Sequence, residues 1–542
     1  MSSLKGYRLV ILALVVGLCL SLYGINNHAF WDDEAHTALF AQNLLSTGKM
    51  TAWDGKNLIG YNQGAGLDEN LVNDYMPPLQ FIVAAAGLSL FDDKTFGGRI
   101  FFVLAGMLAL LALSLWTHRH FVGRVPVYLP ALIACLSPAY LLFVRQCRYY
   151  ALGVFFTFAL LAAWSWCDAS KRMKLIAYPV GIAATAGLWF THYLYGMAAL
   201  AAMPVFYAEP HYRSKSKHVF LGVVYLVALI CGLYILQTKD PFSVVPTDDI
   251  SGLPRYATLL MRHLGGLALF EFLPVLLLPV LLLPSEMNRI RHLENLGKSG
   301  FILLYAMLMY ICVTVLFTPQ HVRITAVAEM RYVVPLILFG VTLTAAILLI
   351  LWQVSKPIAV IIAVIAIFTN TFTLSYLSYP PWRIAILEYM NECQSGYKTS
   401  TESMVEYLSS IPSGSVVQII PFYMAYSPMF YEPQQHYCCQ LNESKAVRTD
   451  LKAQLPDYIF TERARPDYVL SMLMPEEKVK TWLDNKFGKD RYEIIQRIAN
   501  GYYDCSRPEI FLHCFGPPPR SDEDVISIFM YRSSAGTAVA ES

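Results

Sequence analysis

Residues 9–36 read LVILALVVGLCLSLYGINNHAFWDDEAH, an apolar run followed by three consecutive acids, Asp32, Asp33 and Glu34. A run of about 20 apolar residues is long enough to cross the hydrocarbon core of a bilayer. Residues 22–26 contain no small-x-small cleavage pattern, so we expect a retained helix and not a cleaved signal peptide. The stretch therefore predicts a membrane-spanning helix that brings three carboxylates to the membrane surface.

The composition of the whole chain agrees with a membrane protein. Of the 542 residues, 56% are apolar and 15% are charged, and the mean hydropathy is +0.44. A soluble domain carries about 25% charged residues. The 41 basic and 39 acidic residues leave a net charge of +2, which provides no electrostatic signature of nucleic-acid binding. The composition therefore excludes an ordinary soluble protein and gives no indication of a nucleic-acid partner.

Eleven apolar runs approach the length of a transmembrane helix. They cover residues 9–25, 99–116, 126–143, 149–166, 175–190, 193–207, 219–236, 264–283, 301–317, 332–352 and 357–376. The run at 79–91 is shorter and follows Pro77-Pro78, so we expect it to lie at the membrane interface or to re-enter the bilayer. The sequence therefore predicts about eleven transmembrane helices within residues 1–378.

The basic residues support this count and give an orientation. With the N-terminus in the cytoplasm, the cytoplasmic loops would contain Arg119 and Arg124, Lys171, Arg172 and Lys174, Arg213, Lys215 and Lys217, Arg289, Arg291 and Lys298, and Lys356. Cytoplasmic loops are enriched in Lys and Arg. The segment 26–98, the loop 237–263 and the domain 379–542 are then predicted to lie outside the cytoplasm. The expected fold class is a polytopic α-helical protein of a plasma or inner membrane with an extracytoplasmic α/β domain.

The three acids lie at the start of a predicted amphipathic helix over residues 35–46, which ends before Gly48. Asp32 or Asp33 is the expected N-cap of this helix. Capping explains one acid, together with the favourable interaction of carboxylates with the helix dipole. It does not explain three consecutive acids at a membrane surface. We therefore take Asp33 as the first candidate for catalysis, with Asp32 and Glu34 as alternatives.

Four further polar motifs fall at the same outer boundary of the membrane. They are Asn73-Asp74-Tyr75-Met76-Pro77-Pro78, Arg145-Gln146-Cys147-Arg148-Tyr149-Tyr150, Thr191-His192-Tyr193 and Glu329-Met330-Arg331-Tyr332-Val333-Val334-Pro335. Each has a structural alternative, because prolines begin helices, arginines reach lipid headgroups and a single histidine is often only packed. Outer loops are usually poor in Arg, so the two arginines Arg145 and Arg148 in one motif indicate an anionic partner. Arg331-Tyr332 is a second Arg-Tyr pair at an outer boundary.

These residue types predict chemistry on a lipid-linked phosphate. Arg148 and Arg331 suit a phosphate, because a planar guanidinium binds two oxygens at once. A carboxylate such as Asp33 accepts a proton from an acceptor hydroxyl or amine. The arginines stabilise the charge that grows on the departing phosphate. The predicted reaction is transfer of the group that the phosphate carries.

The motifs together resemble the GT-C glycosyltransferase superfamily, and most closely the branch of the aminoarabinose–lipid A transferases and the protein O-mannosyltransferases. The resemblance covers residues 9–376. It rests on the order and spacing of Trp31-Asp32-Asp33-Glu34-Ala35, Tyr75-Met76-Pro77-Pro78-Leu79, Arg148-Tyr149-Tyr150-Ala151-Leu152, Thr191-His192-Tyr193 and Arg331-Tyr332-Val333-Val334-Pro335.

The resemblance implies an inverting transfer of a sugar from a polyprenyl-phosphate sugar to an acceptor outside the cytoplasm. It assigns activation of the acceptor to Asp33, or to Asp32 if the register differs by one residue. It places Arg148 and Arg331 at the phosphate, and we group with them, for the phosphate and the sugar, Tyr149, Tyr332, His192, Asp74 and Tyr75. It also implies interfacial helices in the first external loop and a mobile substrate loop at 237–263.

Two departures from the family patterns leave the sugar and the acceptor open. Met76 stands where aminoarabinose transferases often have Lys, and the His-Pro-Pro of protein mannosyltransferases is absent. The acceptor class remains a glycolipid, a polysaccharide or a protein. Asp33 and Asp74 would give two ligands for a divalent metal ion, and no third is evident, so we expect no essential metal or other cofactor. The alternative function is a flippase or transporter of a lipid-linked saccharide.

Residues 379–542 are expected to form a small α/β domain that positions a substrate or caps the structure. The pattern predicts helices at 384–392 and 476–487 and strands at 415–420, 467–470 and 525–531, with the last at a sheet edge. Cys505 and Cys514 would pair in an oxidising compartment.

Overall fold

The computed structural model describes residues 2–239, 252–269, 273–320, 322, 329–374, 384–394, 398–472, 474–499 and 525–532. Cys505, Cys514 and residues 240–251 of the predicted second external loop lie outside the described residues. The helices before residue 379 are α1 Ser2–Leu22, α2 Asp32–Thr47, α3 Leu79–Leu90, α4 Lys94–His120, α5 Leu129–Cys135, α6 Pro138–Val144, α7 Tyr150–Trp166, α8 Lys171–Thr191, α9 Tyr193–Ala202, α10 Lys215–Thr238, α11 Leu253–Leu269, α12 Leu283–Glu286, α13 Glu294–Phe317, α14 Pro335–Val354 and α15 Lys356–Phe368.

The chain forms a bundle of apolar helices typical of a multi-pass membrane protein. Among the described helices, five are long and apolar enough to cross a membrane, namely α4, α8, α10, α13 and α14. They coincide with the predicted spans at 99–116, 175–190, 219–236, 301–317 and 332–352. Helix α14 is buried along almost its whole length, as expected for a helix that is apolar on every side.

Other predicted spans are broken or short. The run at 126–143 was expected to be one helix, but it forms α5 and α6, because Ser137 caps a new helix and Pro138 lacks the N–H that would continue the old one. The run at 264–283 begins inside α11 and continues, after three undescribed residues, as a 3₁₀ segment at Val275–Leu282 that contains Pro279.

The segment 26–98 contains the two helices that the sequence predicts at the membrane surface. Helix α2 ends at Gly48, which has φ of 72° and donates its N–H to the Leu44 carbonyl. Its N-cap is Trp31 and not an aspartate, so the prediction of Asp32 or Asp33 as the cap was wrong. Helix α3 covers the short run after Pro77-Pro78 and packs against α2 and α4.

The C-terminal part forms a five-stranded mixed sheet flanked by helices. Its elements are α16 Ala385–Gln394, α17 Ser400–Ser410, β1 Val416–Ile420, α18 Tyr426–Tyr431, β2 His436–Tyr437, α19 Thr449–Lys452, β3 Tyr468–Ser471, α20 Glu476–Phe487, β4 Tyr492–Ala499 and β5 Val525–Tyr531. The order is β2-β1-β3-β5-β4, with β1 parallel to β2 and β3, and β5 antiparallel to β3 and β4.

One prediction about this sheet was wrong. The alternating pattern of 525–531 suggested an edge strand, but β5 lies inside the sheet, between β3 and β4. Ile526, Ser527, Ile528 and Phe529 are consecutive buried residues. Ser527 is polar, so the sequence pattern suggested that its side chain is exposed. The side chain is buried instead, and its hydroxyl donates a hydrogen bond of 3.0 Å to Glu476 of α20.

Candidate active site

Asp33 lies between the two predicted phosphate-binding arginines. Its Oδ2 accepts a hydrogen bond of 2.8 Å from Nη1 of Arg331, and its Oδ1 is 3.4 Å from Nη2 of Arg148. These three residues are far apart in the chain and come from the first turn of α2, the turn before α7 and the turn before α14. The Asp33 side chain is 20% exposed, so the carboxylate remains accessible.

Arg331 is fixed from several directions in the group formed by Asp33, Arg148 and Arg331, which we call the cleft. Its Nε and Nη2 donate to Oε2 of Glu329 at 3.0 and 2.7 Å, and its carbonyl accepts a hydrogen bond from the Tyr195 hydroxyl. The guanidinium carbon lies over the Tyr332 ring, 5.3 Å from its centre. Glu329 belongs to the sequence motif but was not among the predicted site residues.

Of the two arginines that contact Asp33, Arg148 is the more deeply buried. Its Nη1 donates to the Asp33 carbonyl at 3.1 Å and to the Thr37 hydroxyl at 2.9 Å, and the guanidinium lies over the Tyr149 ring at 5.4 Å. The residue is only 3% exposed, and its Nε has no hydrogen-bond partner within the described part of the chain. A buried guanidinium with an unused donor is suited to bind an anion that enters the cleft.

His192 adds a neutral hydrogen-bonding group beside Arg148. Its ring lies 4.3 Å from that of Tyr149 and 6.0 Å from that of Tyr332. Burial lowers the pKa of His192 to about 3, and the positive charges of Arg148 and Arg331 act in the same direction. The imidazole is therefore uncharged at neutral pH.

Glu34 does not share the cleft with Asp33. The Glu34 side chain is fully buried, and its two oxygens accept hydrogen bonds of 2.8 and 2.6 Å from Arg99. It also accepts the N–H of Cys147 at 2.7 Å. Asp32 is 6% exposed, and its Oδ1 accepts the N–H of Asp33 at 2.9 Å. Of the three acids, Asp33 is the one that the structure joins directly to both arginines.

Arg99 was missed by the sequence reasoning, although a signal was present. It begins the predicted span at 99–116, where an isolated charge requires a partner. The fully buried Glu34 is that partner.

Tyr75 lies near Arg148 and Arg331, whereas Asp74 interacts with Lys239. The Tyr75 ring stacks parallel to Tyr61 with 6.3 Å between their centres, and the charges of Arg331 and Arg148 act on its hydroxyl. Burial raises the pKa of Tyr75 well above its usual value. The charge of Asp74 acts on Lys239, whose amine donates to the Asn73 carbonyl.

The arrangement suits an anion better than a cation. Asp33 is bounded by two guanidiniums, which repel a divalent metal ion. Among the described residues, no group of three or more His, Cys, Asp or Glu side chains is arranged to hold a metal ion. We therefore derive no chemical step through a metal.

Comparisons with known proteins identify the fold. No protein-family model matches the chain, and no curated protein matches its sequence significantly. Solved structures do match its fold, in agreement with the fold that the resemblance implied.

ArnT from Cupriavidus metallidurans matches with TM-scores of 0.52 when bound to undecaprenyl phosphate and 0.54 in the apo state. Both comparisons have 12% identity and cover 96% of this chain and 97% of ArnT. The oligosaccharyltransferase AglB from Archaeoglobus fulgidus, in complex with an inhibitory peptide and a dolichol-phosphate, matches with a TM-score of 0.50 and 11% identity. That match covers 86% of this chain and 69% of AglB. At these identities the likeness shows the fold alone.

Proposed function

We propose that this protein is a membrane glycosyltransferase that moves a sugar, with inversion, from a polyprenyl phosphate to an acceptor outside the cytoplasm. The observation that carries the proposal is the position of Asp33 between Arg148 and Arg331. An aspartate bound by two arginines places a proton acceptor directly beside two groups that bind a phosphate. The fold agrees, because ArnT was solved with undecaprenyl phosphate and AglB with a dolichol-phosphate.

The reaction follows from the charges in the cleft. The acceptor oxygen or nitrogen attacks the anomeric carbon, and the bond between that carbon and the phosphate oxygen breaks. The proton of the acceptor passes to Asp33, and the bonding electrons remain on the phosphate. Arg148 and Arg331 stabilise the second negative charge that the phosphate gains. A single displacement inverts the anomeric centre.

The resting ion pairs explain how the base becomes available. Without a phosphate, the guanidiniums of Arg148 and Arg331 neutralise Asp33 and hold its oxygens. A donor phosphate competes for the same guanidiniums, because both anions require planar N–H donors. Donor binding thus releases the carboxylate to accept a proton. His192, Tyr149, Tyr332 and Tyr75 then surround the phosphate and the sugar.

The proposal includes the membrane topology and the domains predicted from the sequence. About eleven helices in residues 1–378 cross a plasma or inner membrane, with the N-terminus in the cytoplasm. The loops 26–98 and 237–263 and the domain 379–542 lie outside, on the side of the active site. Asp32 and Glu34 serve in placing Asp33, Asp74 lies within the first loop, and no metal is essential.

Reconstitution in proteoliposomes tests the function. Wild type is supplied with undecaprenyl phosphate-linked hexoses and pentoses, radiolabelled in the sugar, and with glycolipid, polysaccharide and peptide acceptors. Asp33→Asn is expected to lower transfer about 10²–10⁴-fold, and Arg331→Gln to lower it strongly as well. Glu406→Gln, at an exposed ion pair on the C-terminal domain, serves as the control. Lipid scrambling without transfer would support a flippase, and transfer unchanged in Asp33→Asn would reject the assigned base.

A further inference from the structure

Among the buried polar atoms near Asp33 that have no hydrogen-bond partner in the described residues, two belong to rings that contact each other. They are the hydroxyl of Tyr426, in the C-terminal domain, and Nδ1 of His36, on α2. Tyr426 is 2% exposed and His36 is 7% exposed. Burying an unpaired polar group costs about 1–3 kcal/mol. Two such groups side by side indicate that a ligand supplies the missing partners.

The two side chains face each other in an aromatic recess, which we define by His36, Tyr61, Tyr75, Phe81 and Tyr426. The His36 ring centre lies 5.4 Å from that of Tyr426, 6.3 Å from that of Tyr61 and 6.4 Å from that of Phe81. Tyr61 is 40% exposed and stacks on Tyr75, so it forms the open side of the recess.

The unpaired groups are neutral. Burial lowers the pKa of His36 to about 3, and the charge of Arg148 contributes to this shift. Burial also raises the pKa of the Tyr426 hydroxyl well above its usual value. Neither group becomes charged near neutral pH. Such a pair recognises hydroxyl groups and has no charge with which to attract a phosphate or an ammonium group.

The recess lies near Asp33. The charge of Asp33 acts on the Tyr426 hydroxyl and on the side chains of His36 and Tyr61. An inverting displacement requires the acceptor to approach from the side opposite the leaving phosphate. Because Asp33 is the proposed base for the acceptor, a group bound in the recess lies beside the reacting atom of the acceptor.

Helix α18 is built to hold Tyr426 in place. Its last residue, Tyr431, accepts the N–H of Phe30 at 3.0 Å and shares a hydrogen bond of 2.8 Å with Thr95. Phe430 packs edge-on against Phe30, with 5.1 Å between ring centres. One end of α18 is thus anchored to the membrane domain, while the other presents an unpaired hydroxyl.

We propose that the aromatic recess binds a sugar ring of the acceptor, and that Tyr426 and His36 complete their hydrogen bonds with its hydroxyl groups. The exposed face of Tyr61 receives the C–H face of the ring, because the face of an aromatic ring is electron-rich. This inference rests on the proposed function. It assigns the acceptor to the carbohydrate part of a glycolipid or polysaccharide, and it gives the C-terminal domain a direct role in acceptor recognition.

Two tyrosines on α18 provide a matched test. Tyr426→Phe removes a hydroxyl that has no partner in the described structure, so it is expected to leave the melting temperature unchanged or slightly higher. If the recess binds the acceptor, the same variant raises KM for an acylated disaccharide acceptor at least tenfold and leaves KM for the undecaprenyl phosphate-linked donor unchanged. Tyr431→Phe, which removes paired hydrogen bonds, is expected to lower the melting temperature and leave acceptor KM unchanged.

A binding measurement separates this inference from the proposed function. Titration calorimetry in the presence of undecaprenyl phosphate is expected to show binding of the acylated disaccharide to wild type, and at least tenfold weaker binding to Tyr426→Phe. Equal acceptor KM in wild type and Tyr426→Phe would overturn the recess alone, as would transfer to a peptide but to no carbohydrate. Disaccharide binding without transfer from any donor would overturn the proposed function and leave the recess. Absence of both would overturn both.

Discussion

Arg99 holds Glu34 by two hydrogen bonds, from Nε and Nη2, in a pair that is almost completely buried. The remaining nitrogen of Arg99 donates to the carbonyls of Ile25 and His28, at the end of the first apolar run. The pair therefore joins the chain before α2, the first turn of α2 and the start of α4. The Glu34–Arg99 ion pair therefore fixes the position of the preceding residue, Asp33, relative to Arg148 and Arg331.

Breaking the Glu34–Arg99 ion pair is expected to destabilise the protein. Glu34→Gln leaves the Arg99 charge buried without its partner, and loss of one member of a buried pair costs about 3–5 kcal/mol. The melting temperature in detergent should fall accordingly. The double variant Glu34→Leu with Arg99→Met removes both charges and should recover much of the loss. Equal stability of wild type and Glu34→Gln would contradict the assigned structural role.

The contact between the segment 26–98 and the C-terminal part of the chain should depend on Gly60. A Cβ atom at this position would lie 1.7 Å from the Gln440 carbonyl oxygen. Gly60→Ala must therefore separate the two segments and should make the C-terminal domain more susceptible to proteolysis. Gly222→Ala in α10 is the control, since a Cβ there meets no described atom within 4 Å. Equal cleavage of both variants would argue against a tight contact at Gly60.

Protonation of His36 should reduce stability in acid. Its pKa is about 3 in the folded protein, mainly because of burial, against about 6.5 in an unfolded chain. Between these values the unfolded state binds more protons, so stability rises with pH and is lost as pH falls below about 6.5. The melting temperature of His36→Gln should therefore decline less than that of wild type between pH 7 and pH 5. The exposed His218→Gln should follow wild type.

Glu329 should control how firmly the phosphate product is held. Its carboxylate competes with a phosphate for Arg331, to which it is bound by two hydrogen bonds. Glu329→Gln removes this competing charge, so undecaprenyl phosphate should inhibit the variant about two- to tenfold more strongly. The catalytic rate should fall, because Arg331 loses a partner that orients it. Weaker product inhibition in Glu329→Gln would contradict this account.

Much of the architecture was predictable from patterns within single segments. The apolar runs located α4, α8, α10, α13 and α14, because a membrane span requires about 20 apolar residues in succession. The short run at 79–91 formed the short helix α3, as its length indicated. The same approach failed where a proline divided a run, as at Pro138, and where a buried polar side chain had a distant partner, as at Ser527.

The sequence by itself determined that carboxylates and arginines collect at one boundary of an apolar bundle, because hydropathy and charge order are properties of the chain. It could not assign a role to each of the consecutive acids Asp32, Asp33 and Glu34. Successive residues of a helix point about 100° apart, so Glu34 turns to Arg99 while Asp33 turns to Arg148 and Arg331. Only the tertiary structure decided these partners, and only it brought Tyr426 beside them, because contacts between distant segments depend on how whole elements pack.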